Sequence, residues 1–159
     1  MGEWNINYYT EKLKEGNEYE NFVVNILKKH DIKLTLTTTF EEQINIGETL
    51  EGYEIKFDDK LKETGNLYIE TEERTNKEKQ YVPSGIFRDD NTIKYVIGNY
   101  DIIFIFNKTI LKDLYKIKKI LENHRETSKG FLLSRSEGFG YCDTVIEINV
   151  NNKKMDEWM

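Results

Sequence analysis

Among 159 residues there is one cysteine, Cys142, and one proline, Pro83. A single thiol excludes a disulfide framework and any zinc site built on several cysteines. The only two histidines, His30 and His124, are isolated, so no histidine-based metal cluster is expected. No apolar run approaches the ~18 residues of a membrane span, and the opening MGEWNINYYTEKLKEG is polar and of mixed charge. Neither a spanning helix nor a secretory signal is expected, which points to a soluble, cytoplasmic protein. Also missing are a Walker phosphate loop, a G-x-G-x-x-G turn after a strand, and a G-x-S-x-G elbow around Ser84 or Ser134. No linker rich in Gly, Ser or Pro and no internal repeat divides the chain. What is present is 38% hydrophobic and 13% aromatic side chains, enough at this length for one domain with a real core. The net charge of −6 argues against a general nucleic-acid coat, though it leaves room for a local basic face.

The hydrophobic pattern predicts a mixed fold. Asn17 and Glu20 have the spacing of an N-cap and its capping-box partner. Tyr19, Phe22, Val23, Ile26, Leu27 and His30 then recur at helical spacing, predicting a helix over about 18–30, with a preceding turn or short helix in 1–16. KLTLTTTF (33–40) alternates like a half-buried strand, and EEQINIG continues it as an extended segment or loop. GYEIKFDD (52–59) puts Tyr53, Ile55 and Phe57 on one face and Glu54, Lys56 and Asp58 on the other. NLYIETEE (66–73) is a further strand, and the polar DDKLKETG between the two suggests an antiparallel hairpin. After a solvated RTNKEK loop, YVPSGIF and NTIKYVIG are short extended pieces around an RDDN turn. YDIIFIF (100–106) is too continuous for a surface strand and too short for a typical helix, so it should be central and buried on both faces. Asn107 should cap a second helix reaching about 121, with Ile110, Leu111, Leu114, Ile117 and Leu121 inward. FLLS and TVIEINV are late strands separated by a glycine-rich turn, EGFGY, before a polar tail, NNKKMDEWM. The expected architecture is a single α/β (α+β) domain over 1–159, its core about 17–150, with a mixed central sheet and flanking helices.

Chemistry concentrates in 48–74, which holds nine carboxylates against four cations. Folding the hairpin about residue 62 sets Glu54 opposite Glu70, roughly 5 Å apart on neighbouring strands. Such a pair is destabilising unless neutralised, and a divalent cation held by one or two carboxylates, water and phosphate would neutralise it. Lys56 on the same face could orient or deprotonate a nucleophile or stabilise charge on phosphorus. A solvent-facing row on an ordinary amphipathic hairpin accounts for the same alternation, and a capping box accounts for Glu20.

The helix with Glu20, a strand, Gly52-Tyr53-Glu54-Ile55-Lys56-Phe57-Asp58, a turn and Asn66-Leu67-Tyr68-Ile69-Glu70-Thr71-Glu72 together resemble the core of the PD-(D/E)xK nucleases over about 17–121. The chain is also similar to small phage and mobile-element proteins carrying GYEIK, TGNLYIE, SGI and SKGFLL. The resemblance implies a restriction-endonuclease-like core and metal-dependent hydrolysis of DNA. By that analogy Glu54 and Glu70 hold Mg²⁺ or Mn²⁺, Glu20 and Glu72 are auxiliary ligands or orient water, and Lys56 is the cationic helper. The pattern departs from the family at Glu54, where aspartate is usual, and at Glu72, where lysine is usual. Some restriction enzymes of the superfamily also have glutamate at the latter position. The tripeptide alone is weak, since [D/E]-x-K occurs at 31–33, 54–56 and 58–60.

A second feature bears on substrate. Residues 108–125 hold six cations against two carboxylates. Lys108, Lys112, Lys116 and Lys119 form a stripe at helical spacing, with Lys129 beyond it, which suits contact with a DNA backbone. A solvated helix face explains the stripe equally. The rival expectation is a module that kept the nuclease fold without its chemistry and binds nucleic acid or a partner protein. A homodimer is common among nucleases that cut both strands, but no interface is legible in the sequence.

Overall fold

The computed structural model describes residues 6–148. In chain order its elements are α1 (Ile6–Lys29), α2 (Phe40–Asn45), β1 (Tyr53–Phe57), α3 (Leu61–Thr64), β2 (Asn66–Glu73) and β3 (Val82–Pro83). A 3-10 turn (Gly85–Phe87), β4 (Lys94–Gly98), β5 (Ile102–Asn107), α4 (Lys108–Tyr115), β6 (Leu121–Glu122), β7 (Ser128–Ser134), α5 (Arg135–Tyr141) and β8 (Thr144–Glu147) follow. The content is mixed α and β, as the patterning implies.

The strands form two four-stranded sheets. One has the order β1-β4-β5-β8 and is mixed: β1 runs parallel to β4, and the other pairs are antiparallel. The other has the order β3-β2-β7-β6 and is antiparallel throughout. Strand β5 explains the layering. Ile103 and Ile105 pack with Tyr19, Val23 and Leu27 of α1, while Ile102, Phe104 and Phe106 join Leu67, Ile69, Phe131 and Leu133 of the other sheet. A strand covered on both faces needs apolar residues at every position, which is why IIFIF does not alternate. The order of layers is helix, mixed sheet, antiparallel sheet, with α4 adding Leu111 and Leu114 to the second core.

Several expectations are corrected. β1 and β2 do not form a hairpin: β1 pairs with β4, and β2 with β3 and β7. Alternation shows that a strand has two faces but not which strand it meets. In the linker, Leu61 is buried and Gly65 ends α3 in the left-handed region at φ 70°, so DDKLKETG carries the chain from one sheet to the other. α1 begins well before Asn17, so Asn17 and Glu20 lie inside a helix and form no capping box.

The stretch 33–40 is not a strand. It is extended with one bridge, Leu36 to Thr49, and ends at Thr39, which caps α2 through a capping box with Glu42. EGFGY is likewise helical: Ser134 and Glu137 form a capping box at the start of α5. Gly138 permits this packing, because a Cβ there would lie 3.0 Å from the Phe104 ring. The second helix stops at Tyr115, where Ile117 turns out to solvent, and Leu121 enters the edge strand β6. The tail NNKKMDEWM lies outside the described residues, and no described helix is long and apolar enough to cross a membrane.

Phe104→Ala should cost about 3–5 kcal/mol by opening a cavity between the two sheets. Ser134→Ala should cost about 1 kcal/mol through loss of the cap. Urea unfolding of both variants checks the ranking.

Candidate active site

Strand β1 lies at the edge of the mixed sheet. Its Ile55 and Phe57 face α1, which leaves Glu54 and Lys56 on the opposite face. The edge is not open, because the Ile55 N–H donates to Glu48 Oε2 at 2.7 Å. Glu48 therefore lies along β1, and its other oxygen is 4.0 Å from Lys56 Nζ. Glu54 Oε1 is 3.9 Å from the same ammonium.

Glu20 of α1 and Glu70 of β2 also lie within the electrostatic reach of Lys56. Carboxylates from α1, the loop before β1, β1 itself and the other sheet thus act electrostatically on one lysine. Burial alone would lower the Lys56 pKa, but Glu54, Glu48, Glu70 and Glu73 outweigh it and hold the ammonium above its usual range.

Glu54 is 1% exposed, and neither carboxylate oxygen accepts a hydrogen bond from a described residue. Burial pushes its pKa up to about 7; Lys56 opposes the shift, and Glu48 and Asp90 add to it. Behind it runs a chain of ions that the sequence did not reveal. Arg88 Nη1 is 4.0 Å from Glu54, Arg88 Nε is 3.5 Å from Asp90, and Lys108 Nζ is 3.5 Å from the other Asp90 oxygen. The RDDN stretch looked like an ordinary turn and gave no signal of this. Glu20 is pushed up to about 7 by burial and by Glu48, with Lys56 again opposing.

Glu70 does not meet Glu54 across a ladder. Its cross-strand neighbour is Gly130, and that of Glu54 is Tyr95. Lys56 is instead the group whose field both share. Glu70 Oε1 accepts a hydrogen bond from Ser128 Oγ at 2.9 Å, and the Ser128 oxygen lies 2.8 Å from the Tyr68 hydroxyl. Burial raises the Glu70 pKa, and Lys56 and Ser128 oppose the rise. Gly85, at φ 54°, fits against Glu70, because a Cβ there would fall 2.0 Å from the Glu70 carbonyl oxygen. Glu72 is set apart, since past a register irregularity it pairs with Pro83 and Lys129; it lines neither cleft, and nor does the buried Glu54.

Two clefts meet at Lys56, Phe57 and Asp59. The larger, about 630 Å³, is lined by Tyr68, Glu70, Tyr95, Ser128 and Leu132 among others. The smaller, about 410 Å³, is lined by Lys12, Glu20, Glu48 and Asp59. Asp58 serves the framework, accepting bonds from Lys60 N at 3.0 Å and Tyr68 N at 2.9 Å.

The basic stripe is dispersed. Lys108 is buried against Asp90, Lys112 lies over the Phe87 ring, and Lys129 lies over the Tyr81 ring. Lys116 is exposed at the end of α4, and Lys119 is exposed beyond it.

Among the described residues, no three carboxylate, histidine or cysteine side chains are spaced to enclose a metal ion. Mg²⁺ asks for less, usually one or two carboxylates completed by water and phosphate. The two oxygens of Glu54, which accept no hydrogen bond from a described residue, suit that smaller demand. In comparisons with known proteins, no family model, curated protein or solved structure matches the chain.

A carboxyl raised from 4.5 to about 7 keeps its proton in the fold while the unfolded chain releases it. Its contribution to stability is full below the lower value and is lost as pH rises through the upper one. For Glu54 the change is on the order of 3 kcal/mol. Glu54→Gln, neutral at every pH, should flatten the fall in Tm between about pH 5 and 8; an unaltered slope would contradict this assignment.

Proposed function

We propose that the protein is a metal-dependent nuclease that hydrolyses DNA phosphodiester bonds. The observation that carries the proposal is the convergence of Glu20, Glu48, Glu54 and Glu70, from separate segments, on Lys56 at the junction of two clefts. A half-buried arrangement of this kind, with Glu54 fully buried within it, is costly for a fold to maintain and is typical of sites that handle protons and charge. Glu54 and Glu70 would hold Mg²⁺ or Mn²⁺, with Glu48 and Glu20 beside them. Such an ion polarises a phosphate oxygen and lowers the pKa of water bound to it.

Lys56 stays protonated among its carboxylates, so its part is to stabilise negative charge on a phosphate oxygen rather than to accept a proton. Glu20, at about 7, exchanges its proton near neutrality and suits the role of base toward water. The test is cleavage of single- and double-stranded DNA in Mg²⁺ or Mn²⁺, paired with calorimetric titration of Mn²⁺. Lys56→Ala and Glu54→Gln should each lose at least about a hundredfold in rate. Glu54→Gln/Glu70→Gln should abolish Mn²⁺ binding; retained activity in these variants would overturn the proposal.

A second reading, a nuclease-like module without catalysis, is favoured by Glu72 at the position of the family lysine and by the lack of a three-ligand cage among the described residues. For a nucleic-acid-binding module, Lys112→Glu/Lys116→Glu should weaken DNA binding and reduce its salt dependence. Unchanged binding would remove this surface from either account.

A further inference from the structure

We propose that the ring of Tyr68 is a stacking platform for an unpaired nucleobase, which makes single-stranded DNA the ligand of the larger cleft. The inference rests on the hydrolytic reading above for its choice of DNA, and it adds the form of the strand. Tyr68 stands on the face of β2 opposite Leu67 and Ile69, which fill the core between the sheets. Its cross-strand neighbour on β7 is Leu132, yet its hydroxyl lies 2.8 Å from Ser128 Oγ, further along that strand. To reach so far the ring must lie along β7 and pass over Gly130. A Cβ at Gly130 would fall 2.8 Å from Tyr68 Cζ, so glycine is what leaves room for the ring. Ser128 also donates to Glu70 Oε1, which fixes the far end of the ring beside a carboxylate of the site. The tyrosine is thus laid on the sheet and tethered there, and it remains half-buried in the lining of the cleft.

A fixed aromatic face is worth most to a flat π-system. Stacking of a base on such a ring tolerates any sequence, because every base has a π-face. Within a duplex those faces are covered by neighbouring pairs, so an unpaired base is the one that can present its own. The surroundings favour the base over the backbone. Ile97, Leu121 and Leu132 give the cleft apolar walls, and Leu132, beside the ring, is exposed. Four carboxylates stand against two lysines among the lining residues, which disfavours a phosphate deep inside. The phosphate belongs instead at Lys56, where the two clefts join, and the Glu70–Ser128 bond links that side of the cleft to the ring. A volume of about 630 Å³ is in the range of clefts that hold a ligand of nucleotide size.

The test is fluorescence anisotropy of short labelled oligonucleotides, in EDTA and in Ca²⁺, with wild type, Tyr68→Leu and Tyr68→Phe. Single-stranded DNA should bind wild type more tightly than a blunt duplex of the same sequence, and Tyr68→Leu should lose about ten- to a hundredfold of that affinity. The loss should persist at raised salt, where phosphate contacts weaken. Tyr68→Phe, which keeps the ring, should bind nearly as wild type does. A strand of abasic sugar-phosphates probes wild type directly, which keeps the proposal decidable if Tyr68→Leu fails to fold. It should bind at least about tenfold more weakly than the intact strand. Equal binding of abasic and intact strands, full affinity in a folded Tyr68→Leu, or a wild type that binds no oligonucleotide would each overturn the proposal. None of these readouts needs cleavage. Stacking without cleavage of any DNA in Mg²⁺ or Mn²⁺ would remove the nuclease reading and leave the base site; cleavage indifferent to Tyr68 and to the bases would do the reverse.

Discussion

A carboxyl group withdrawn from water, with no donor on either oxygen, must keep its proton or lie in a field of positive charge. Glu54 is poised between these conditions. Burial favours the acid, while Lys56 on one side and Arg88 on the other favour the anion. The neighbouring groups follow from that balance. Lys56 is drawn between Glu54 and Glu48, Arg88 reaches from Glu54 to Asp90, and Lys108 is buried to complete the Asp90 pair. Hydrophobic residues of similar volume would pack here without such demands, so the charged chain is not explained by stability. On the proposed reading it serves to hold a carboxyl whose proton exchanges near neutrality.

The layered fold makes that place possible. With α1 on one face of the mixed sheet and the antiparallel sheet on the other, β5 is wholly buried, and β1 remains at an edge where polar groups can gather. The short helix α3 then lifts the chain out of the first sheet and starts the second. Glu70 therefore approaches Lys56 from a different layer rather than from a neighbouring strand. Separate elements can hold like charges near one cation without placing them directly opposite each other on a ladder, where their repulsion would be greatest.

Much of this was legible in the sequence, and the failures have identifiable causes. β1, β2 and the doubly buried β5 announced themselves through alternation and through its absence, because those patterns report burial directly. Pairing did not, since Glu54 and Glu70 could face each other only if β1 and β2 were partners, and no local signal encodes the partner. Two capping boxes, Thr39 with Glu42 and Ser134 with Glu137, were written in the chain but overshadowed by threonine-rich alternation and by two glycines. Asn17 and Glu20 had the same spacing inside a longer helix, which shows that the motif needs a helix start to act on. The electrostatic cluster was half visible: Glu20, Glu54, Lys56 and Glu70 could be named. Glu48, Arg88 and Asp90 join it only through tertiary contacts.

Glu48 has a consequence of a different kind. By accepting the Ile55 N–H it occupies an amide of an edge strand, the sort of group that another chain can recruit to extend a sheet. The side chain that contributes to the charged cluster is thus also a stopper against strand addition. One carboxylate therefore both covers a strand edge and shapes the polar centre.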